Sequence, residues 1–411
     1  MEDTLPRMAR VRQTIPTPRV EDVAGAVEQG LASLNLKETI KAGQRVAVTA
    51  GSRGIADLTV VIRSVVAHLR SLGADPFVAA AMGSHGGATA DGQRRVLAGI
   101  GVTEDAVGAP IRSSMKTEVV GESRFGQPVH CGRDFTQAGH VIVVNRVKPH
   151  TSFRGDVESG LLKMSVLGMG KADGARMAHR LFFRHGFEPV VRDLADIVLD
   201  RLSVPAGVAL VENRLEQTAR IEVCEKKRFA DTDRLLLAEA RQLMGRIPFS
   251  DVDLLIIDEM GKNISGSGMD SNVTGRIFNQ VTPEPKQRRF RRIYVRELTA
   301  ESDGNALGVG TADFFSRRLA DKIDPEKTRI NCITASVPEK GRVPITYDRD
   351  RDAVRDALYS AGLSDPAAGR LVWIKNTLSL DRFWVSASLV QEAGRTEGLS
   401  LETDLSPLPF D

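Results

Sequence analysis

The sequence predicts an α/β protein of two α/β domains with a cleft between them, and three observations carry that expectation. Short apolar runs recur, at residues 44–50 (QRVAVTA), 76–81 (PFVAAA), 139–145 (GHVIVVN) and 251–258 (DVDLLIID). Gly-rich loops follow these runs and helix-period stretches come after, the order of strand, loop and helix in a buried parallel sheet. A chain of 411 residues exceeds what one core usually holds, so two domains are expected. The composition breaks at 245–250 (GRIPFS). That divides the chain into an N-terminal domain, 1–247, and a C-terminal domain, 248–411, which closes the cleft and whose tail, 385–411, could return to the first.

Each element has a local reason. Residues 2–35 are polar with several prolines, then helix-like over VEDVAGAVEQGLASL, and are expected to begin the first domain's outer layer. The strand at 44–50 runs straight into Gly51, Ser52, Arg53 and Gly54, ahead of the helix pattern LTVVIRSVVAHLRSLG. Free backbone N–H groups and the positive helix end point at such a turn, which suits an anion. Arg53 adds a forked donor for a carboxylate or phosphate. The alternative is a plain tight turn with Arg53 in water, since neither a P-loop nor a dinucleotide fingerprint is complete.

The pattern then repeats. The run 76–81 leads into the loop MGSHGGAT (82–89) and a helix, with Thr89 or Asp91 as its N-cap. His85, set among Gly83, Gly86 and Gly87, is placed to face whatever occupies the strand ends. Residues 102–137 read as an antiparallel hairpin appended to the sheet, with His130 and Cys131 on opposite faces of one strand. Helices are expected at 187–202 and 232–244, and strands at 207–211 and 219–224. In the second half, the strand 251–258 precedes a Gly-rich loop, 259–270, that carries Lys262. The strand IYVREL, a helix around 313–323, the strand RINCITA and a helix at 350–362 complete the second layer.

Composition removes several function classes. Against 56 basic residues stand 53 acidic ones, a net charge of +3, which gives little reason to expect nucleic acid as a partner. The basic run KQRRFRRIYVR reads as a solvated edge strand or loop. No apolar run reaches membrane-spanning length and no secretory signal opens the chain, so a cytoplasmic location with no membrane partner is expected. Three cysteines, Cys131, Cys224 and Cys332, lie far apart in no CxxC spacing, which disfavours structural zinc, iron-sulfur clusters and disulfides. All seven histidines fall between His68 and His185, so any imidazole chemistry belongs to the N-terminal half.

That chemistry concentrates in residues 145–180, NRVKPHTSFRGDVESGLLKMSVLGMGKADGARMAHR. Lys148, Pro149 and His150 leave a strand end, where α/β folds place their sites. The apolar segment LLKMSVL shelters Lys163, and a sheltered amine can become a nucleophile or a cofactor tether. His179 follows on the first turns of a helix, while His140 reads as structural.

With Arg53, His85, His150, Lys163 and His179 in place, the chain resembles the nickel-dependent lactate racemase family, which uses a nickel-pincer nucleotide. The resemblance implies a racemase or epimerase of a 2-hydroxy acid. By it, Arg53 in GSRG would hold the substrate carboxylate, and His85 in MGSHGG and His150 in KPH would be the two acid/bases. Lys163 in LLKMSVLG would carry the cofactor covalently and His179 would ligate nickel. Gly51, Ser52 and Gly54 would contact the cofactor, and Lys262 would reach the substrate from the second domain. Two enantiomers need two bases on opposite sides, and imidazole suits both proton exchange and Ni(II). Arg154, Asp156 and Glu158, between His150 and Lys163, bring more charge than a lactate pocket needs, so a larger hydroxy acid is expected. Cofactor-synthesis proteins would be partners. Two rivals remain: a non-catalytic anion- or nucleotide-binding protein, and a hydrolase with His85, His150 and His179 on one zinc ion.

Overall fold

A computed structural model describes residues 5–410 apart from 53, 281 and 285–288. It is a mixed α/β fold of two compact units: residues 17–244, and residues 1–16 with 245–411. The opening strand, β1 (Met8–Gln13), belongs to the second of these. Its Met8 and Val11 are buried and it pairs within that unit's sheet, where the sequence suggested the first domain's outer layer.

The 17–244 unit is built on a six-stranded sheet. Its strands are β2 (Arg45–Ala50), β3 (Asp75–Ala80), β4 (Ile111–Arg112), β7 (His140–Arg146), β8 (Ala206–Glu212) and β9 (Thr218–Cys224), ordered β4-β3-β2-β7-β8-β9. All neighbours are parallel except β8 and β9. Val46, Ala47, Val48 and Ile142, Val143 are fully buried, as expected for strands covered on both faces. The helix Leu58–Ser71 buries Val61, Ile62, Val65 and Leu69 against the sheet, the i, i+4 stripe of an amphipathic helix. From β2 the chain winds outward to β3 and β4, then resumes with β7 on β2's other side. The reversal between β2 and β7 opens a crevice at their carboxyl ends, the usual place for a ligand in such sheets. Strands β5 (Thr117–Glu122) and β6 (Pro128–Gly132) form a separate two-stranded sheet, not an extension of the large one.

The second unit carries β10 (Val252–Met260), β11 (Phe290–Leu298), β12 (Phe314–Ser316), β13 (Ile345–Tyr347), β14 (Leu371–Ile374), β15 (Arg382–Ser386) and β16 (Leu399–Leu401). With β1 they make an eight-stranded sheet ordered β13-β12-β11-β10-β14-β15-β1-β16. The basic run read as a solvated edge falls partly outside the described residues, and the rest of it is β11, an interior strand with Tyr294 fully buried. Arg296 there is held by Asp258 and Asp350. Residues 329–335, expected as a strand, lie within the helix Pro325–Thr334. Asp324 caps that helix by accepting from the Glu326 and Lys327 N–H groups, with Pro325 at its first position. These start signals override the β-branched content of RINCITA.

The three cysteines are buried free thiols. No helix among the described residues is long and apolar enough to cross a membrane.

Candidate active site

His85 sits on the loop after β3, His150, Lys163 and His179 sit on the loop and helices after β7, and Ser52 sits on the turn after β2. After β2, Gly51 packs so closely that a Cβ there would lie 3.2 Å from Met164 Cε. Ser52 Oγ is 2.5 Å from His85 Nδ1, so the turn after β2 and the loop after β3 meet through their polar side chains. Arg53 lies outside the described residues, and Gly54 is exposed. The Ala56 N–H donates to Glu212 (2.7 Å), which is also ion-paired with Arg146.

The loop after β3 is fixed by its backbone. Gly83 has a φ of +59°, and a Cβ there would come within 3.1 Å of the Leu167 carbonyl and 3.3 Å of Ala175 Cβ. Glycine meets both constraints. The Gly83 N–H donates to the Gly168 carbonyl at 3.3 Å. Thr89 is the cap of the next helix, accepting from the Gly92 N–H at 3.0 Å.

After β7, the loop holding His150 closes on itself. Lys148 N–H donates to Ser159 Oγ and that hydroxyl donates back to the Lys148 carbonyl (2.7 and 2.6 Å). Glu158, fully buried, accepts from the His150 N–H at 2.7 Å and pairs with Arg241 at 2.8 Å. The Ser152 N–H donates to His150 Nδ1 at 3.0 Å. A backbone N–H can only donate, so Nδ1 is an acceptor and the neutral ring carries its proton on Nε2. Arg154 donates to the His150 and Phe153 carbonyls. Two of the three charges that suggested a large substrate are therefore engaged in holding the loop.

Lys163 ends a short helical turn, Leu161–Lys163, that continues as a π-turn, Met164–Gly168. Such turns are frequent at functional sites. The turn starts on Asp233, which accepts from the Leu161 and Leu162 N–H groups, both at 2.9 Å. Burial pushes the Asp233 carboxyl up to about 7, against the lowering effect of those two bonds.

An aromatic floor brings His150, Lys163 and His179 together. Phe153 stacks on Phe187 at 4.3 Å between ring centres, and Phe182 lies 4.9 Å from Phe187. His150 stacks on Phe153 at 4.6 Å, His179 meets Phe182 edge-on at 5.5 Å, and the Lys163 ammonium is 6.0 Å from the Phe187 centre. Burial, helped by the charge of Lys163, pushes the His179 imidazole down to about 4. Its ring is therefore neutral at neutral pH and has a lone pair for a borderline metal such as Ni(II). Among the described residues no three His, Cys, Asp or Glu side chains gather as a metal-holding group, so a three-histidine zinc site is not formed. A bound metal would need its other donors from elsewhere, which suits a group that brings its own.

Lys262 lies in the other unit, where its ammonium donates to the Gly266 carbonyl (2.6 Å) and to Asn331 (2.9 Å). Lys171, the other lysine of the central stretch, is fully buried and does not suit a tether. His140 is held by Ser203 and Gln44 (2.8 and 2.9 Å), a structural role. Asp233, Arg241 and the aromatic floor were not singled out from the sequence as parts of the site, and Glu158 was read there as pocket charge rather than as an anchor of the His150 loop. The three phenylalanines flank the candidate residues and were the available signal. Asp233 and Arg241 come from a helix, Phe229–Leu243, that nothing local connects to the site.

Residues 4–186 match the lactate racemase N-terminal domain. No curated protein matches the chain. The fold is similar to that of the lactate racemase apoprotein from Thermoanaerobacterium thermosaccharolyticum, at a TM-score of 0.58 and 12% identity over 90% of this chain and 94% of that one. The domain match takes in the loops after β2, β3 and β7, and together with the shared fold it supports a place for the chain among lactate racemase-like proteins.

Proposed function

We propose that this protein racemises or epimerises a 2-hydroxy acid, using a nickel-pincer nucleotide held on Lys163. What supports the reading is that His85, His150, Lys163 and His179 all fall inside the matched N-terminal domain, three of them on one aromatic floor. When bound, that group supplies the electrophilic centre that takes hydride from C2 and returns it.

The chain's own residues supply the rest. Arg53 would hold the substrate carboxylate through its forked N–H groups. His85 and His150 would remove and return the hydroxyl proton, one for each enantiomer. The contacts to Nδ1 of each ring, from Ser52 and from the Ser152 N–H, would orient the two imidazoles. His179, kept neutral by burial, would ligate the nickel, and covalent attachment at Lys163 would remove the neighbouring positive charge that now disfavours a cation there. Gly51, Ser52 and Gly54 would lie along the cofactor, and Lys262 would approach the substrate. The sequence suggested a substrate larger than lactate, but Arg154 and Glu158 already have structural partners. The substrate class is therefore proposed without a size.

The test is co-expression with cofactor-synthesis enzymes, followed by intact mass, nickel content and chiral chromatography over a series of 2-hydroxy acids starting at lactate. An adduct on Lys163, bound nickel and interconversion of one enantiomeric pair are expected. A loaded protein that interconverts no enantiomeric pair of any hydroxy acid would instead be the non-catalytic binder.

A further inference from the structure

Behind the His85 loop lies a cation that the proposed chemistry does not use. Lys171 is fully buried, and its ammonium donates to the Ala80 carbonyl at the end of β3 (2.5 Å) and to Gln93 Oε1 (3.1 Å). Its stem lies over Gly132, where a Cβ would come within 3.1 Å of Lys171 Cε and Cγ. The ammonium is 5.8 Å from the Phe135 ring centre. Burying an ammonium is costly unless its donors are used. Lys171 also holds a φ of +54°, which residues with a Cβ rarely adopt. Two costs at one residue need an offsetting role.

Gln93 points to that role. Its side chain is fully buried and donates from Nε2 to the Gly83 carbonyl at 2.9 Å and to the His85 carbonyl at 3.4 Å. An ammonium can only donate, so the amide oxygen has to face Lys171 and the amide NH2 has to face the loop. Turned over, NH2 would meet ammonium and the two loop carbonyls would meet oxygen. Lys171 thereby fixes the direction of Gln93, Gln93 fixes the backbone on both sides of Ser84, and Ser52 meets the ring beyond. We infer that Gln93 and Lys171 are positioning residues for His85, a buried amide and cation that hold its loop so that the imidazole meets Ser52.

The inference rests on the acid/base reading of His85, and the test separates the two. Gln93→Glu keeps the size of the side chain and its contact with Lys171 but replaces the NH2 that grips the loop with oxygen. In the full-length protein, the imidazole ¹⁵N resonances of His85, identified by their loss in His85→Asn, are expected to shift in Gln93→Glu while those of His150 stay in place. After cofactor loading, kcat is expected to fall about 10–100-fold with KM changed less than about twofold, the signature of a misplaced reacting group. Should Gln93→Glu not fold, Gln93→Met, which keeps the volume and lacks the donors, takes the same measurements. Unmoved His85 resonances in the folded variant overturn the inference, as does a loss carried by KM alone. Full turnover by His85→Asn would overturn the acid/base role instead, and the resonances would still decide whether Gln93 sets the ring.

Discussion

Replacing Asp233 by alanine should loosen the turn that carries Lys163, and the structure gives the size of the effect. Its carboxyl accepts both the Leu161 and the Leu162 N–H, and both residues are buried, so water cannot readily take over. A buried donor left without a partner costs about 1–3 kcal/mol, and removing a helix cap costs about 0.5–2 kcal/mol. We expect Asp233→Ala to lose about 2–4 kcal/mol in urea unfolding. Amide exchange at Leu161 to Met164 should accelerate first. The pH dependence provides a second check. The folded-state carboxyl is raised from 3.8 to about 7, so between those values the folded chain holds a proton that the unfolded chain has released. Stability from this group is therefore full below about pH 4 and is lost as pH rises through about 7. At about 1.4 kcal/mol per pH unit the interval sets an upper limit of about 4 kcal/mol. Asp233→Asn lacks the titration, so the stability of the wild type minus that of Asp233→Asn should decline across the same range. A flat difference from pH 4 to 7, or a loss below about 1 kcal/mol in Asp233→Ala, would refute this account of the turn.

Other outcomes follow from the same geometry. His85→Ala and His150→Ala should each abolish turnover while the cofactor-loaded mass stays as in the wild type; turnover equal to the wild type in either would remove that residue from the chemistry. Lys163→Ala should lose the covalent mass adduct, and an unchanged mass would place the tether on another lysine. Glu158→Gln breaks the pair with Arg241 and weakens the bond to the His150 N–H. Arg241 is half-exposed, so the expected loss in chemical denaturation is about 1–3 kcal/mol, below that of a fully buried pair; no measurable loss would show that the His150 loop does not depend on it. Ser52→Ala should lower kcat by moving the His85 ring, with thermal stability unchanged, and an unaltered kcat would separate the Ser52 contact from function.

Much of the N-terminal half was legible before any coordinates. Strand-length apolar runs at 44–50, 76–81 and 139–145 could be little else once Gly-rich loops followed them, and the spacing of His85, His150, Lys163 and His179 carried the family resemblance. The second half was harder to read. RINCITA is rich in β-branched residues yet folds as helix, because Asp324 and Pro325 supply a start that local propensity does not register. The short strand Phe314–Ser316 was read as helix because three residues are too few to show a period.

By itself the sequence determined which loops end which strands, because hydrophobic period and glycine placement are local properties of the chain. Only the tertiary structure decided what holds those loops. Asp233 under Lys163, Glu158 and Arg241 under His150, and Gln93 with Lys171 under His85 act across up to 83 residues of chain. Their energetic reason is the pairing of buried polar groups, which depends on who meets whom in space and leaves no periodic trace in the sequence.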